Sequence, residues 1–393
     1  KMLLIGNDVD METFAMEVKA GTFNDKFDGA LLVNDVDMTG KEWASVEGFN
    51  SVFEGRNYTI KGLTAPLFGE NVVATISNLN VEANIVEAAN GKVGILARSL
   101  AVEGEKVGTI FNCSATGSIE YKNAALAVKN DYKLINIGGA VGGVYGGKVS
   151  LAESNVNITI ATIAGDDGKS QNFYPSIGGV VGYVCADGDN LPVVAENTSN
   201  GAIVWDDQSK SVKAVPYIGG VTGYVTAGSF ESNVNTGSLT ISEPMDDLDW
   251  GGVVGASAVS VERCVNKGSM TINEQVTTAN IGGVVGTLQA NKNTSVKNSI
   301  VDCENSGKVN LNESFKIVSS ANVGGVVAFV EKKTALVSGC YNSGAITYLG
   351  ECLTFGQKAK YGNTSMNIGG VVGLCWADKV DQCGNKKSGE IIV

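Results

Sequence analysis

Apolar and polar residues alternate in short runs through most of the chain, and each run closes on Gly, Asn, Asp or Ser. That is the period-two signature of strands joined by tight turns. One block keeps returning: Ile137-Gly138-Gly139-Ala140-Val141-Gly142, then Ile177-Gly178-Gly179-Val180-Val181-Gly182 and Ile218-Gly219-Gly220-Val221-Thr222-Gly223. It recurs at Trp250-Gly251-Gly252-Val253-Val254-Gly255, Ile281-Gly282-Gly283-Val284-Val285-Gly286, Val323-Gly324-Gly325-Val326-Val327-Ala328 and Ile368-Gly369-Gly370-Val371-Val372-Gly373. The second glycine returns after 31 to 45 residues. The shortest period holds three strand candidates, at 252–256, 259–264 and 269–273. Three strands and their turns make one coil, which predicts an all-β, right-handed parallel β-helix, a solenoid. A propeller blade needs four strands in roughly 40–50 residues, so the short periods exclude it. Longer periods place their extra residues in loops around 163–170, 206–213 and 350–363.

Stacked coils lie about 4.8 Å apart, so equivalent positions form ladders along the axis. The row Ala140, Val180, Val221, Val253, Val284, Val326, Val371 is expected in the core, with the row from Val144 to Cys375 beside it. The row beginning Val141, Val181, Thr222, Val254 is expected outside, followed by Tyr183, Tyr224 and Phe329 as an exposed aromatic stripe. Those three rings are the candidate ligand-binding residues, because aromatic faces suit the apolar face of a sugar. A second block, clearest as Cys264-Val265-Asn266-Lys267-Gly268, follows each Gly-Gly block. It predicts a structural ladder of Cys113, Asn155, Asn197, Asn233, Cys264, Cys303, Cys340 and Cys383. Stacked amides bond one another, and buried Cys acts as a small apolar filler. Disulfides between neighbouring coils remain an alternative, since the spacing fits the permitted Cα range. The Asn-x-Gly that follows supplies residues tolerant of positive φ for a tight corner.

The first ninety residues differ in character. A helix is expected behind Asp10 as N-cap, ending at Gly21, with strands at 30–33, 58–63 and 76–85. Residues 1–90 thus read as an N-terminal cap with the first coils, and 91–393 as repeated coils continuous with it, one domain overall. The opening segments Phe14-Ala15, Leu32-Val33-Asn34-Asp35-Val36-Asp37, Glu42-Trp43, Phe53-Glu54-Gly55, Tyr58-Thr59-Ile60-Lys61-Gly62-Leu63 and Leu67-Phe68-Gly69 resemble those of GLUG-motif bacterial surface proteins. The Ile-Gly-Gly-Val-Val-Gly and Cys-x-Asn-x-Gly blocks are similar to that group's repeats. The resemblance implies a secreted or cell-surface bacterial protein of the adhesion type, and is nearly silent on activity.

Composition narrows the chemistry. Histidine is absent, which removes Ser-His-Asp and Cys-His nucleophiles and His-based zinc sites. The eight cysteines form no C-x-x-C pair, so neither a zinc ribbon nor a thioredoxin motif is present. A formal charge of −12 disfavours nucleic acid and anionic membranes. No apolar run reaches the ~18 residues of a membrane span, and the short apolar start is no signal peptide. Candidate acids for glycoside hydrolysis are Asp206 and Asp207 after Trp205, and Asp246, Asp247 and Asp249 before Trp250; all read as solvated turn residues. Asp187-Gly188-Asp189-Asn190 offers calcium-type oxygens without EF-hand spacing. No catalytic residue, metal or cofactor is assigned. The reading is a non-catalytic surface scaffold with a glycan or a host or cell-surface protein as partner; the alternatives are a polysaccharide-degrading enzyme and a purely structural stalk.

Overall fold

The first strands, up to Asn80–Glu87, lie in two sheets; from Lys92–Val93 onward the chain visits four sheets in turn and returns to the first, laying new rungs on each. The computed structural model describes residues 1–123, 135–163, 174–208, 214–290, 298–331, 335–352 and 365–392. It is all-β, with long parallel sheets stacked in the manner of a solenoid. One circuit runs Ser229–Glu231 in sheet 1, then Val234–Asn235 and Leu239–Ile241 in sheet 2. It continues through Met245–Gly251 in sheet 3 and Val254–Ser257 in sheet 4, and re-enters sheet 1 at Val261–Glu262. Among the described residues sheet 1 has twelve strands, from Met2–Ile5 to Lys379–Asp381, and sheet 4 has eight, from Ala97–Leu100 to Val372–Cys375.

Three strands per repeat is therefore too few. The segment ahead of each Gly-Gly, such as Gln275–Gly282, is a strand of sheet 3. Its Thr and Asn residues resemble a linker in sequence, yet they pair in register with the next coil. The loop insertions fall largely on 164–173, 209–213 and 353–364, outside the described residues.

Sheet 1 shows the physics simply. Ala30, Phe53, Ile76, Ile110, Val149, Val194, Phe230, Val261, Ile300 and Val337 hold one inward position and are all buried. Polar residues flank them, as Lys148 and Ser150 flank Val149. Burying one such side chain is worth roughly 1.5–3 kcal/mol.

The corner from sheet 1 into sheet 2 turns on a left-handed residue. Asn78, Asn112, Leu151, Glu196, Ser232, Arg263, Asp302 and Gln382 have φ between 51° and 60°, and Gly339 takes the same place at 65°. For a non-glycine residue this costs roughly 1–2 kcal/mol. The Asn-x-Gly block, expected to carry that conformation, does not. Its glycine is required instead by close approach: a Cβ on Gly268 would stand 1.9 Å from the Gly237 carbonyl oxygen, and Gly307 and Gly344 repeat the contact one coil on.

The same constraint explains Gly-Gly-x-x-Gly. A Cβ on Gly282 would lie 1.8 Å from the Val285 oxygen, and one on Gly286 would lie 2.7 Å from the Trp250 nitrogen. Sheets 3 and 4 thus abut backbone to backbone. Consequently the row Val141, Val181, Thr222, Val254, Val285, Val327, expected outside, is fully buried beside the Ala140 and Val144 rows. Sheet 3 covers the side of sheet 4 that was assigned to solvent.

At the start of the chain, helix α1 spans Asp8–Lys19. Its N-cap is Asn7, not Asp10: the Asn7 side chain accepts from the Asp10 N–H at 3.0 Å, and Asp10 Oδ2 accepts from the Gly6 N–H at 2.9 Å. Together these two bonds close the first turn and move the helix start three residues earlier. Gly21 follows the helix with φ 71°. Phe14 points inward against Phe23, Phe49, Phe53 and Phe68, with centroids 5.1–6.4 Å away. Further on, Glu87 and Arg98 form a buried ion pair at 2.5 Å, and Glu87 also accepts from the Ala89 and Asn90 N–H groups. Despite its burial, those donors hold Glu87 below the usual carboxylate range.

Candidate functional site

The proposed structural ladder is mostly in register, with one correction. Pairing aligns Cys113, Ala152, Asn197, Asn233, Cys264, Cys303, Cys340 and Cys383. Asn155 lies three residues past that position, opposite Thr116, and its Oδ1 accepts from Asn200 at 2.8 Å. Register runs unshifted from Ser114/Glu153 to Tyr121/Ile160, so Ala152 takes the Cys113 position. Asn197 donates to Asn233 Oδ1 at 3.0 Å. Each thiol of the later coils donates to the carbonyl two residues back, as Cys303 does to Val301 at 3.4 Å. Cys113, Cys264, Cys303, Cys340 and Cys383 are free thiols. Burial pushes Cys113 up to about 12; the neighbouring Cys264 raises Cys303, which in turn raises Cys340. These are poor nucleophiles, so the ladder is structural chemistry.

A second ladder, two residues on, went unassigned in sequence although Cys-x-Asn-x-Gly displays it. Asn235, Asn266, Asn305, Asn342 and Asn385 stack with amide bonds of 2.8–2.9 Å. In the middle coils each amide also closes on the backbone N–H and C=O of the glycine two residues later. In Asn266, Asn305 and Asn342 every hydrogen-bonding valence of the amide is filled.

The three candidate rings lie on sheet 4, in the row Gly143, Tyr183, Tyr224, Ala256, Thr287, Phe329, Leu374. They do not form one exposed stripe. Tyr183 is buried, and its row faces sheet 3. There Tyr224 stacks on Tyr217 at 4.5 Å, and Tyr183 meets Tyr224 at 5.7 Å. Phe329 sits three rungs from Tyr224, beyond Ala256 and Thr287, and packs edge-on against Trp376 at 5.1 Å. Tyr224 and Phe329 are partly exposed; Trp376 is mostly exposed.

Opposite these rings runs a polar row that sequence reading missed: Asn136, Ser176, Tyr217, Asp249, Asn280, Asn322, Asn367. Its signal was available, since the residue two before each Gly-Gly carries a polar group in every copy. Asn367 donates to Asn322, Asn322 to Asn280 and Asn280 to Asp249 Oδ1, each at 2.8 Å. The Thr287 hydroxyl donates to the same Asp249 oxygen across the two sheets. Asp249, Asn280 and Asn322 are partly exposed, so the seam between sheets 3 and 4 opens to solvent as a strip of amides beside Tyr224 and Phe329.

The acids expected in solvated turns are placed otherwise. Asp249 lies in a strand, where burial pushes its carboxyl up to about 6 against the hydrogen bonds of Thr287 and Asn280, with Glu331 and Asp247 adding repulsion. Burial also raises Asp247, and Asp246 adds to it. Asp207 is buried just past the sheet 2 strand Ile203–Trp205, and its Oδ1 accepts from the Ile163 N–H at 3.2 Å. Asp206 and Asp207 thus follow a strand of sheet 2, whereas Asp249 lies within a strand of sheet 3. Asp187 and Asn190 close a small antiparallel turn. Among the described residues no group of three His, Cys, Asp or Glu side chains could hold a metal ion.

No protein-family model matches this chain, and no curated protein matches it. A solved structure from Bacteroides ovatus, named "putative immunoglobulin A1 protease", is similar over 93% of this chain and 83% of that chain, at 16% identity and a TM-score of 0.34. That likeness is too slight to carry fold or activity across.

Proposed function

We propose that this chain is a non-catalytic binding scaffold of a bacterial surface or secretion, recognising a glycan or a protein along the seam of sheets 3 and 4. In this reading the solenoid is a right-handed parallel β-helix, and α1 caps its first coil and shields a sheet edge. The observation that carries it is the exposed amide row beside Tyr224 and Phe329. Asn280 and Asn322 each spend one N–H and one lone pair on their neighbours in the row, which leaves one of each for a ligand. Repeating amides about 4.8 Å apart suit the hydroxyls of an extended sugar chain, while the rings take its apolar faces. Tyr183, being buried, supports Tyr224 and does not touch ligand.

A second reading has one observation behind it. Asp249, raised to about 6 with Glu331 nearby, has the proton affinity of a general acid, as a polysaccharide hydrolase requires.

A glycan array, with parallel assays for reducing ends and unsaturated uronates, tests both. Expected are glycan binding without products, and a loss of about tenfold for Tyr224→Ala and for Phe329→Ala, equal to about 1.4 kcal/mol. Binding indifferent to both changes would remove the seam. Product release abolished by Asp249→Asn would replace the scaffold with the enzyme.

A further inference from the structure

A separate cleft of 580 Å³ lies on sheet 1 where the chain arrives from sheet 4, between the 226–229 turn and the next coil. Its size falls in the range of small-molecule sites. Leu191, Ala227 and Val259 give it an apolar side, and Leu191 stands 64% exposed at its rim. Ser260, Glu231 and Glu262 give it a polar side.

One residue in this lining is out of keeping with a passive surface. Asn298 is 2% exposed and donates twice through Nδ2, to the Ala258 oxygen at 2.9 Å and the Gln289 oxygen at 3.1 Å. Its Oδ1 is buried and has no hydrogen-bond partner. A carbonyl withheld from water without a donor is costly, and native structures keep few such atoms without a reason. The fixed amide orientation prevents Oδ1 from turning away: exchanging O and N would set an acceptor against two carbonyls.

The charges narrow the occupant. Arg263 pairs with Glu231 and, at 3.2 Å, with Glu262, so one of the two negative charges at the polar side is already met. The carboxylate oxygens and Asn298 Oδ1 are acceptors still able to take an O–H. A ligand offering several hydroxyl donors, no net charge and one apolar face satisfies all of them.

We infer that this cleft is a second binding site, distinct from the seam, and that it takes a neutral, hydroxyl-rich ring of monosaccharide size. The ring lays its C–H face on Leu191 and Val259 and gives a hydroxyl to Asn298 Oδ1. Glucose, N-acetylglucosamine, glucuronate and putrescine serve as probes in saturation-transfer NMR with the full chain. One of the two neutral sugars is expected to bind. That signal falls at least tenfold in Ala227→Trp, which fills the cleft from an exposed turn, and survives Tyr224→Ala in the seam. Ser260→Ala checks the site by a smaller change, with a milder loss expected, and thermal melting verifies that each variant folds. Response to putrescine or glucuronate alone overturns the assignment, as does neutral-sugar binding untouched by Ala227→Trp or silence from all four probes.

Discussion

At Asp249 a single atom decides the chemistry. Its neighbours along the row, Asn280, Asn322 and Asn367, hold amides where it holds a carboxyl. Because burial pushes its folded pKa to about 6, above the ordinary value of 3.8, the folded state binds the proton more tightly than the unfolded chain. Below pH 4 both states are protonated and no penalty exists; stability falls as pH rises through the window from about 4 to 6. Asp249→Asn should therefore match the parent at pH 4 and exceed it above pH 6 by about 2 kcal/mol, a shift of two pKa units with some solvent screening. Urea titrations of both proteins across pH 4–8 measure it; parallel curves would refute it. Arg98→Ala has the opposite character. It strands Glu87 in a buried site and should cost about 3–5 kcal/mol at neutral pH. The Glu87 carboxyl is lowered on folding, so that loss shrinks as acid protonates it, which the same titration reads. Sequence gave no sign of either environment, because the partners lie on other rungs or beyond a turn.

At the scale of an element, the ladders divide into amide and thiol stretches. Asn305→Ala removes the amide between Asn266 and Asn342 and leaves the Gly307 N–H without its acceptor. A loss of about 2–4 kcal/mol is expected from the buried groups orphaned. Because each coil touches only its neighbours, amide hydrogen exchange should quicken in the coils of Asn266 and Asn342 and not in those of Cys113 or Ala152. The thiol stretch is closed to solvent: Cys264, Cys303 and Cys340 are fully buried. Iodoacetamide at pH 8 should leave these three unlabelled in the native protein and label them in denaturant, as peptide mass mapping would reveal. The Cys ladder was legible from repeat alignment in the later coils. Asn155 was misplaced because the ladder position in its coil holds Ala152, neither Cys nor Asn, and a one-dimensional count has no access to hydrogen-bond register.

For the whole molecule, parallel pairing makes nearly every stabilising contact reach back one full coil. Loop-closure entropy must be overcome before such contacts form, so refolding from urea should be slow, on the order of seconds or longer, against the milliseconds of helical bundles. Stopped-flow fluorescence of the buried Trp205 and Trp250 follows it. Gln289 also ties the two candidate surfaces together: its Oε1 accepts from the Tyr224 hydroxyl at 2.7 Å, and its backbone oxygen holds Asn298. The seam and the cleft thus share one residue while facing different sheets.

By itself the sequence determined the repeat, its all-β parallel stacking, the inward apolar rows and most of the cysteine ladder. These follow from side-chain period and from glycine, where backbones crowd. Only the tertiary structure decided that sheet 3 exists as a separate layer, that it buries the valine row assigned to solvent, and that Tyr183 is closed while burial raises the Asp249 carboxyl above its ordinary range. Those outcomes depend on which strands face each other across a few ångströms, and that distance is set by the whole coil.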